Sequence, residues 1–277
     1  MESREQTVAK LQAMSKRMRR NMLEMALGAG YLGAHIGPGL SIVEIVAVLY
    51  GAVMRLDPKN PRWIERDRFL LSKGHGALAL YTGLAEAGFI SQDDLKTYEA
   101  PESFLTGQPA MFEDKGIEIA SGSLGHGLSI GIGMSLAARK GHHSYTTYVV
   151  IGDGESNEGS IWEAAMAAAH YKLPNLTVIV DVNGIQSDGR CEAVLDMGRH
   201  EDKWRSFGWE ALVVDGNDVG ALFDAFNAPR QYPDKPRTMI AHTVKGKGVS
   251  FMENNNEWHH NRLSKPQHEN AMKELAD

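Results

Sequence analysis

The chain has 277 residues, of which 43% are hydrophobic and 23% charged, with a net charge of −6, a single cysteine and pI near 6.0. That is ample material for one large α/β domain, and no shift in composition marks a second. An acidic balance without a dense basic block argues against nucleic-acid binding, and Cys191 alone can form neither an intrachain disulfide nor a metal cluster.

In chain order, Arg4 to Leu27 carries apolar residues at helical spacing: Leu11, Met14, Met18, Met22, Leu23 and Met25. Its Lys16-Arg17-Met18-Arg19-Arg20 run reads as a solvated helix face. A Gly-rich turn from Gly28 follows, holding His35 and ending at Ser41, which should cap the next helix. Ser41 to Met54 is the most apolar early stretch, but Glu44 interrupts it and it reads as a buried or amphipathic helix. With no apolar core after the first Met, the expectation is a soluble cytoplasmic protein. Asp67 to Ser72 reads as a short buried strand running into Lys73-Gly74-His75-Gly76, then a helix over Ala77 to Ala87.

The centre of the chain is Val149 to Asn183. Two β-branched runs, Thr146–Ile151 and Leu176–Val182, flank a helical pattern closed by Pro174, which predicts a βαβ unit with parallel strands. Ligands of such sheets sit at the carboxyl ends of the strands. Asp153 and Asn183 leave the two strand ends and offer a carboxylate and an amide oxygen, a pair suited to Mg²⁺, Ca²⁺ or Mn²⁺, with the Ile185 carbonyl as a third donor. Gly152 and Gly154 allow close approach of a ligand, and the amides after Gly154, beginning with Glu155, open a helix N-terminus that attracts anions such as a diphosphate. Gly152-Asp153-Gly154 by itself is also compatible with an ordinary turn. Trp209 to Val214 and Arg237 to Ala241 continue the alternation as strands, with Asp218 capping a helix through Phe226 between them. No Gly-x-Gly-x-x-Gly follows a strand, and Gly246-Lys247 is followed by Gly248, so neither a dinucleotide fold nor a P-loop is indicated.

Gly152-Asp153-Gly154 with the later Asn183 resembles the signature of thiamine-diphosphate enzymes, and the wider chain resembles the amino-terminal half of transketolase. The resemblance implies an α/β fold with a mostly parallel sheet and helices on both faces, here one diphosphate-binding domain over 1–277 with an irregular C-terminal tail. Residues 33–40 resemble the family's Gly-His-Pro-Gly loop, which implies that His35 faces the substrate. Ser72-Lys73-Gly74-His75-Gly76 implies that His75 lines the cofactor pocket. Ser123-Leu124-Gly125 matches in part the segment that holds the thiamine, with Ser123 and His126 in place of Pro and Gln; no catalytic role goes to His126. Trp258-His259-His260 brings a histidine to the diphosphate and the substrate, His259 being preferred, and His242 stands where the family often has Lys. Glu158 matches a glutamate that meets its symmetry mate across a dimer interface. Gln108 replaces the histidine with which sugar-handling members contact the donor ketose.

The same resemblance implies thiamine diphosphate and Mg²⁺ as cofactors and transfer of a two-carbon ketol unit from a ketose to an aldose. The glutamate and aromatic residues that grip the pyrimidine ring belong to a second domain, so the expected partner is a separately encoded C-terminal subunit in an α₂β₂ assembly. A 2-oxo acid dehydrogenase α subunit shares Gly-Asp-Gly and Asn but should lack Ser72-Lys73-Gly74-His75-Gly76. A catalytically silent or regulatory subunit is the other alternative.

Overall fold

A computed structural model describes residues 2–276. The chain opens with helix α1 (Arg4–Gly28), whose Ser3 and Gln6 form a reciprocal cap. Short helices α2 (Ile36–Leu40) and α3 (Val43–Val48) follow, and then strand β1 (Arg68–Leu71) leads into α4 (Ala77–Ala87) and the one-turn α5 (Gln92–Leu95). The central unit is α6 (His126–Lys140), β2 (Thr147–Gly152), α7 (Gly159–His170) and β3 (Leu176–Val182). A two-stranded ribbon, β4 (Ile185–Gln186) and β5 (Gly189–Arg190), precedes α8 (Cys191–Leu195), α9 (His200–Ser206), β6 (Glu210–Asp215), α10 (Val219–Asn227) and β7 (Arg237–His242). The last helix is α11 (Lys265–Glu274).

Five parallel strands form the main sheet in the order β1-β2-β3-β7-β6. Alternation along the strands divides the core in two. Val150, Ile179, Met239 and Ala241 face the layer of α1, α3, α4 and α10, whereas Val149, Ile151, Val178, Val180 and Ile240 face α6, α7 and Trp204 of α9. This is the doubly covered parallel sheet expected of near-continuous Val/Ile runs. Gly152 pairs in register with Asp181, so the chain leaves β2 and β3 at the same level and delivers Asp153 and Asn183 to one sheet edge.

Several local expectations change. Residues 265–274, expected within an irregular tail, form α11 because Ser264 and Gln267 cap it, Pro266 sits in its first turn, and Ala271 and Leu275 bury against the core. Arg19 is not on a solvated face: it is 7% exposed and its guanidinium lies 2.5 Å from Glu44, the residue that interrupts the apolar stretch. Ser41 does not cap the next helix but ends α2; its one hydroxyl proton lies between Pro38 O at 2.9 Å and Asp181 Oδ2 at 2.7 Å, the shorter contact being beneath the site. Asp218 does cap α10, accepting from Ala221 N at 3.0 Å. Asp218→Ala should therefore cost about 1 kcal/mol, read as a fall of roughly 2–4 °C in melting temperature.

Candidate active site

Asp153, Asn183 and Ile185 line one cleft at the carboxyl ends of β2 and β3, together with Gly152, Gly154, Glu155, Glu158, Leu124, His75, Lys245 and His259. Asp153 is 4% exposed. Its carboxylate accepts from Gly154 N at 2.8 Å and from Gly184 N at 2.6 Å, which pins both the diphosphate turn and the loop after β3. Burial, with the nearby charge of Asp181 adding to it, pushes the Asp153 carboxyl above the ordinary range. A carboxylate held in such a place gains most from a cation.

Asn183 turns its amide nitrogen to Asp181, 2.8 Å away, and its oxygen toward Ile185 N at 3.1 Å. The Ile185 carbonyl points at Lys245 Nζ, 3.0 Å away. One anionic and two neutral oxygens make a donor set for a hard divalent cation. Among the described residues no group of three or more His, Cys, Asp or Glu is arranged to hold a metal by itself. The donor set fits a cation only if an anionic ligand completes it. Gly154 is required by the packing of this turn, since a Cβ there would lie 2.7 Å from Gln186 Cβ.

Glu155, expected to meet the cofactor through its amide, has a side chain committed elsewhere. Its carboxylate is 2% exposed and fully engaged, accepting from Ser72 Oγ at 2.5 Å, Gly125 N at 2.8 Å and Gly152 N at 3.0 Å. Only its backbone amide is left for a ligand. The side chain instead ties together the loop of His75, the turn at Gly125 and the diphosphate turn. Leu124 reaches the cleft, whereas Ser123 is exposed on its flank. Gly125 has φ +82°, and a Cβ there would strike Ser160 Oγ at 2.4 Å, so the turn requires glycine.

Above the cation corner lie four imidazoles. Ring centroids separate His35 from His75 by 6.0 Å, from His259 by 5.6 Å and from His260 by 4.5 Å; His75 and His259 stack at 5.3 Å. Burial first, then neighbouring cationic groups, pulls His35 down to about 4 and His259 to about 3, and holds His75 well below its usual value. At neutral pH these three rings are uncharged and can both donate and accept. Lys245 Nζ donates to His259 Nδ1 at 2.8 Å, which leaves the His259 proton on Nε2. Two backbone hydrogen bonds, Ala34 N to Asn261 O at 2.9 Å and Asn261 N to Ala34 O at 3.1 Å, hold the His35 loop against the His259–His260 loop.

Two site residues escaped sequence reasoning. Lys245, 1% exposed, is the lysine that enters the site, whereas His242, in the position matched to the family's Lys, is exposed at the end of β7. Burial, then the charge of Lys73, lowers the Lys245 ammonium to about 8. The signal was a Lys between Val244 and Gly246, directly after the last strand. His260, passed over for its neighbour, also joins the cluster. Gln108 is exposed at the mouth beside the His75 loop, close enough that a Cβ on Gly74 would lie 2.3 Å from its Oε1. Glu158 lies on the surface at the start of α7.

Residues 16–276 match the family model for the transketolase thiamine diphosphate binding domain. An apulose-4-phosphate transketolase subunit from Phocaeicola vulgatus is 41% identical over 98% of this chain and 95% of its own length. Human transketolase is 36% identical over 96% of this chain, but the match covers 42% of the human protein. The solved transketolase of Campylobacter jejuni superposes with a TM-score of 0.88 at 28% identity, over 96% of this chain and 42% of that one. The chain thus spans about two fifths of these longer proteins and nearly the full length of the Phocaeicola subunit. It belongs to the transketolase family, and residues 16–276 form that family's thiamine diphosphate binding domain.

Proposed function

We propose that this chain acts as a single diphosphate-binding domain and as one half of a two-subunit, cytoplasmic transketolase that moves a two-carbon ketol unit from a ketose to an aldose. The observation that carries the reading is the joint placement of Asp153, Asn183 and the Ile185 carbonyl beneath His35, His75 and His259. Thiamine diphosphate, when bound, supplies the electron sink for breaking a carbon–carbon bond beside a carbonyl. Asp153, Asn183 Oδ1 and Ile185 O would hold Mg²⁺, with Ca²⁺ or Mn²⁺ as substitutes, and the amides of Gly154 and Glu155 would donate to the diphosphate. Lys245 adds a positive charge on the same side. His35, His75 and His259, uncharged, orient sugar hydroxyls and pass protons at those oxygens.

At about 290 Å³ the cleft lies at the small end of ligand pockets, suited to a diphosphate and cation with the ring end of the cofactor gripped elsewhere. This supports a shared site, completed by a separately encoded C-terminal subunit, and the near full-length match to a relative that is itself named as a transketolase subunit agrees with it. Glu158 is exposed at the start of α7, and its approach to its counterpart in a second copy would give α₂β₂. A 2-oxo acid dehydrogenase α subunit is disfavoured by Ser72-Lys73-Gly74-His75-Gly76, whose Ser72 and His75 both serve the site.

The test is ketol transfer by the chain alone, by its partner alone and by the mixture, with thiamine diphosphate and Mg²⁺ present. Turnover in the mixture only is expected. Full turnover by this chain alone would overturn the shared site, and cofactor binding without turnover in the mixture would favour a silent or regulatory subunit.

A further inference from the structure

Beneath the cation corner lies a buried ion pair to which the function proposed above assigns no role. Lys73 and Asp181 are 1% and 0% exposed, and Lys73 Nζ lies 2.5 Å from Asp181 Oδ2. The same oxygen accepts from Ser41 Oγ at 2.7 Å and from Asn183 Nδ2 at 2.8 Å, while Thr243 Oγ1 donates to Oδ1. Three donors thus meet Oδ2 of Asp181 and one meets Oδ1. Lys73 is equally committed, donating also to Pro38 O at 3.0 Å, with Ser41 Oγ at 3.4 Å. Asp181 and Asn183 stand two residues apart and so project from the same face of β3 and its extension.

An amide has a donor end and an acceptor end, and an ionised carboxylate can only accept. Asn183 must therefore turn its NH₂ inward, which leaves its oxygen, accepting from Ile185 N at 3.1 Å, on the side of the cleft. The geometry points to Asp181 as the positioning residue that fixes the polarity of the Asn183 amide, with Lys73 neutralising Asp181 so that Asp153 alone meets the cation as an anion. Without Lys73, two carboxylates would compete for the same ion and repel each other across the sheet edge. With it, Asp181 acts as a sink for the NH₂ group and stays out of the coordination shell. The inference rests on the cation-and-diphosphate reading of the site.

The test measures Mg²⁺-dependent thiamine diphosphate binding by calorimetry on the full chain, alongside the melting temperature without cofactor. Asp181→Asn, which puts a group able to donate where Asn183 needs an acceptor, should weaken binding about 10- to 100-fold, the usual scale for a partner of a metal ligand. Asn183→Asp is the sharper case. It supplies a better ligand for a hard cation, yet it sets two carboxylates face to face, so binding should fall by about tenfold or more. Combining Asp181→Asn with Asn183→Asp restores a donor–acceptor pair and should recover part of that loss. Thr243→Val removes a hydrogen bond from Asp181 without touching Asn183; it should lower the melting temperature while leaving affinity within about threefold. Affinity retained by Asp181→Asn or raised by Asn183→Asp would overturn the inference, as would an equal loss in Thr243→Val. If Asp181→Asn does not fold, Asn183→Asp decides alone. Absence of binding by the unsubstituted chain, alone and with its C-terminal partner present, would instead overturn the functional reading beneath it.

Discussion

Asp153→Ala should reduce Mg²⁺-dependent thiamine diphosphate affinity by about 100-fold or more, close to 3 kcal/mol. The substitution deletes the anionic member of the donor set and also frees the amides of Gly154 and Gly184, so the turn and the loop lose their common anchor. The largest effect should be in the loaded state. In the cation-free chain two effects oppose each other: burial and Asp181 raise the Asp153 carboxyl, so removing its charge favours folding, while the amides of Gly154 and Gly184 lose their acceptor, so the melting temperature should move by only a few degrees. Calorimetric titration at several Mg²⁺ concentrations, with a melting curve beside it, separates the two effects. Unchanged cofactor affinity in the variant would return Asp153 to the role of a turn residue.

The second large effect concerns Lys245. Replacing it with methionine should weaken thiamine diphosphate binding by about 10- to 100-fold, the scale of one lost hydrogen bond to a charged group. The pH dependence identifies the cause. The ammonium, lowered to about 8 in the ligand-free chain, binds a diphosphate only when protonated, so wild-type affinity should decline as pH rises above about 8 and the variant should lose that decline. Stability moves the other way. A lysine whose folded value lies below its ordinary 10.5 opposes folding while charged in both states, so the ligand-free chain should gain stability as pH climbs from about 8 to about 10.5. Parallel pH profiles of affinity in the two proteins would refute the assignment.

The strands were legible because parallel strands covered on both faces must be continuous Val/Ile runs, and Val149-Val150-Ile151 and Val178-Ile179-Val180 are such runs. The diphosphate turn was legible because Gly152-Asp153-Gly154 follows directly on one of them. What stayed hidden depends on contacts between residues far apart in sequence. A basic run does not disclose that Arg19 meets Glu44, nor does a glycine-rich tail disclose that Lys245 folds beneath His259. The side-chain role of Glu155 eludes a local reading for the same reason: Ser72 and Gly125, far away in sequence, claim its carboxylate. Strand order, with β7 inserted between β3 and β6, has no local signature at all.

The pair of hydrogen bonds between Ala34 and Asn261 joins stretches from opposite ends of the chain, and each stretch carries histidines of the cluster. Gly33 is caught in the same seam, since a Cβ there would lie 2.9 Å from Asn261 O. The two loops therefore share one tolerance for change. A substitution that shifts either backbone displaces His35 relative to His259 and must be answered in the other loop, so through descent the two histidine-bearing loops are expected to vary as a single inherited unit.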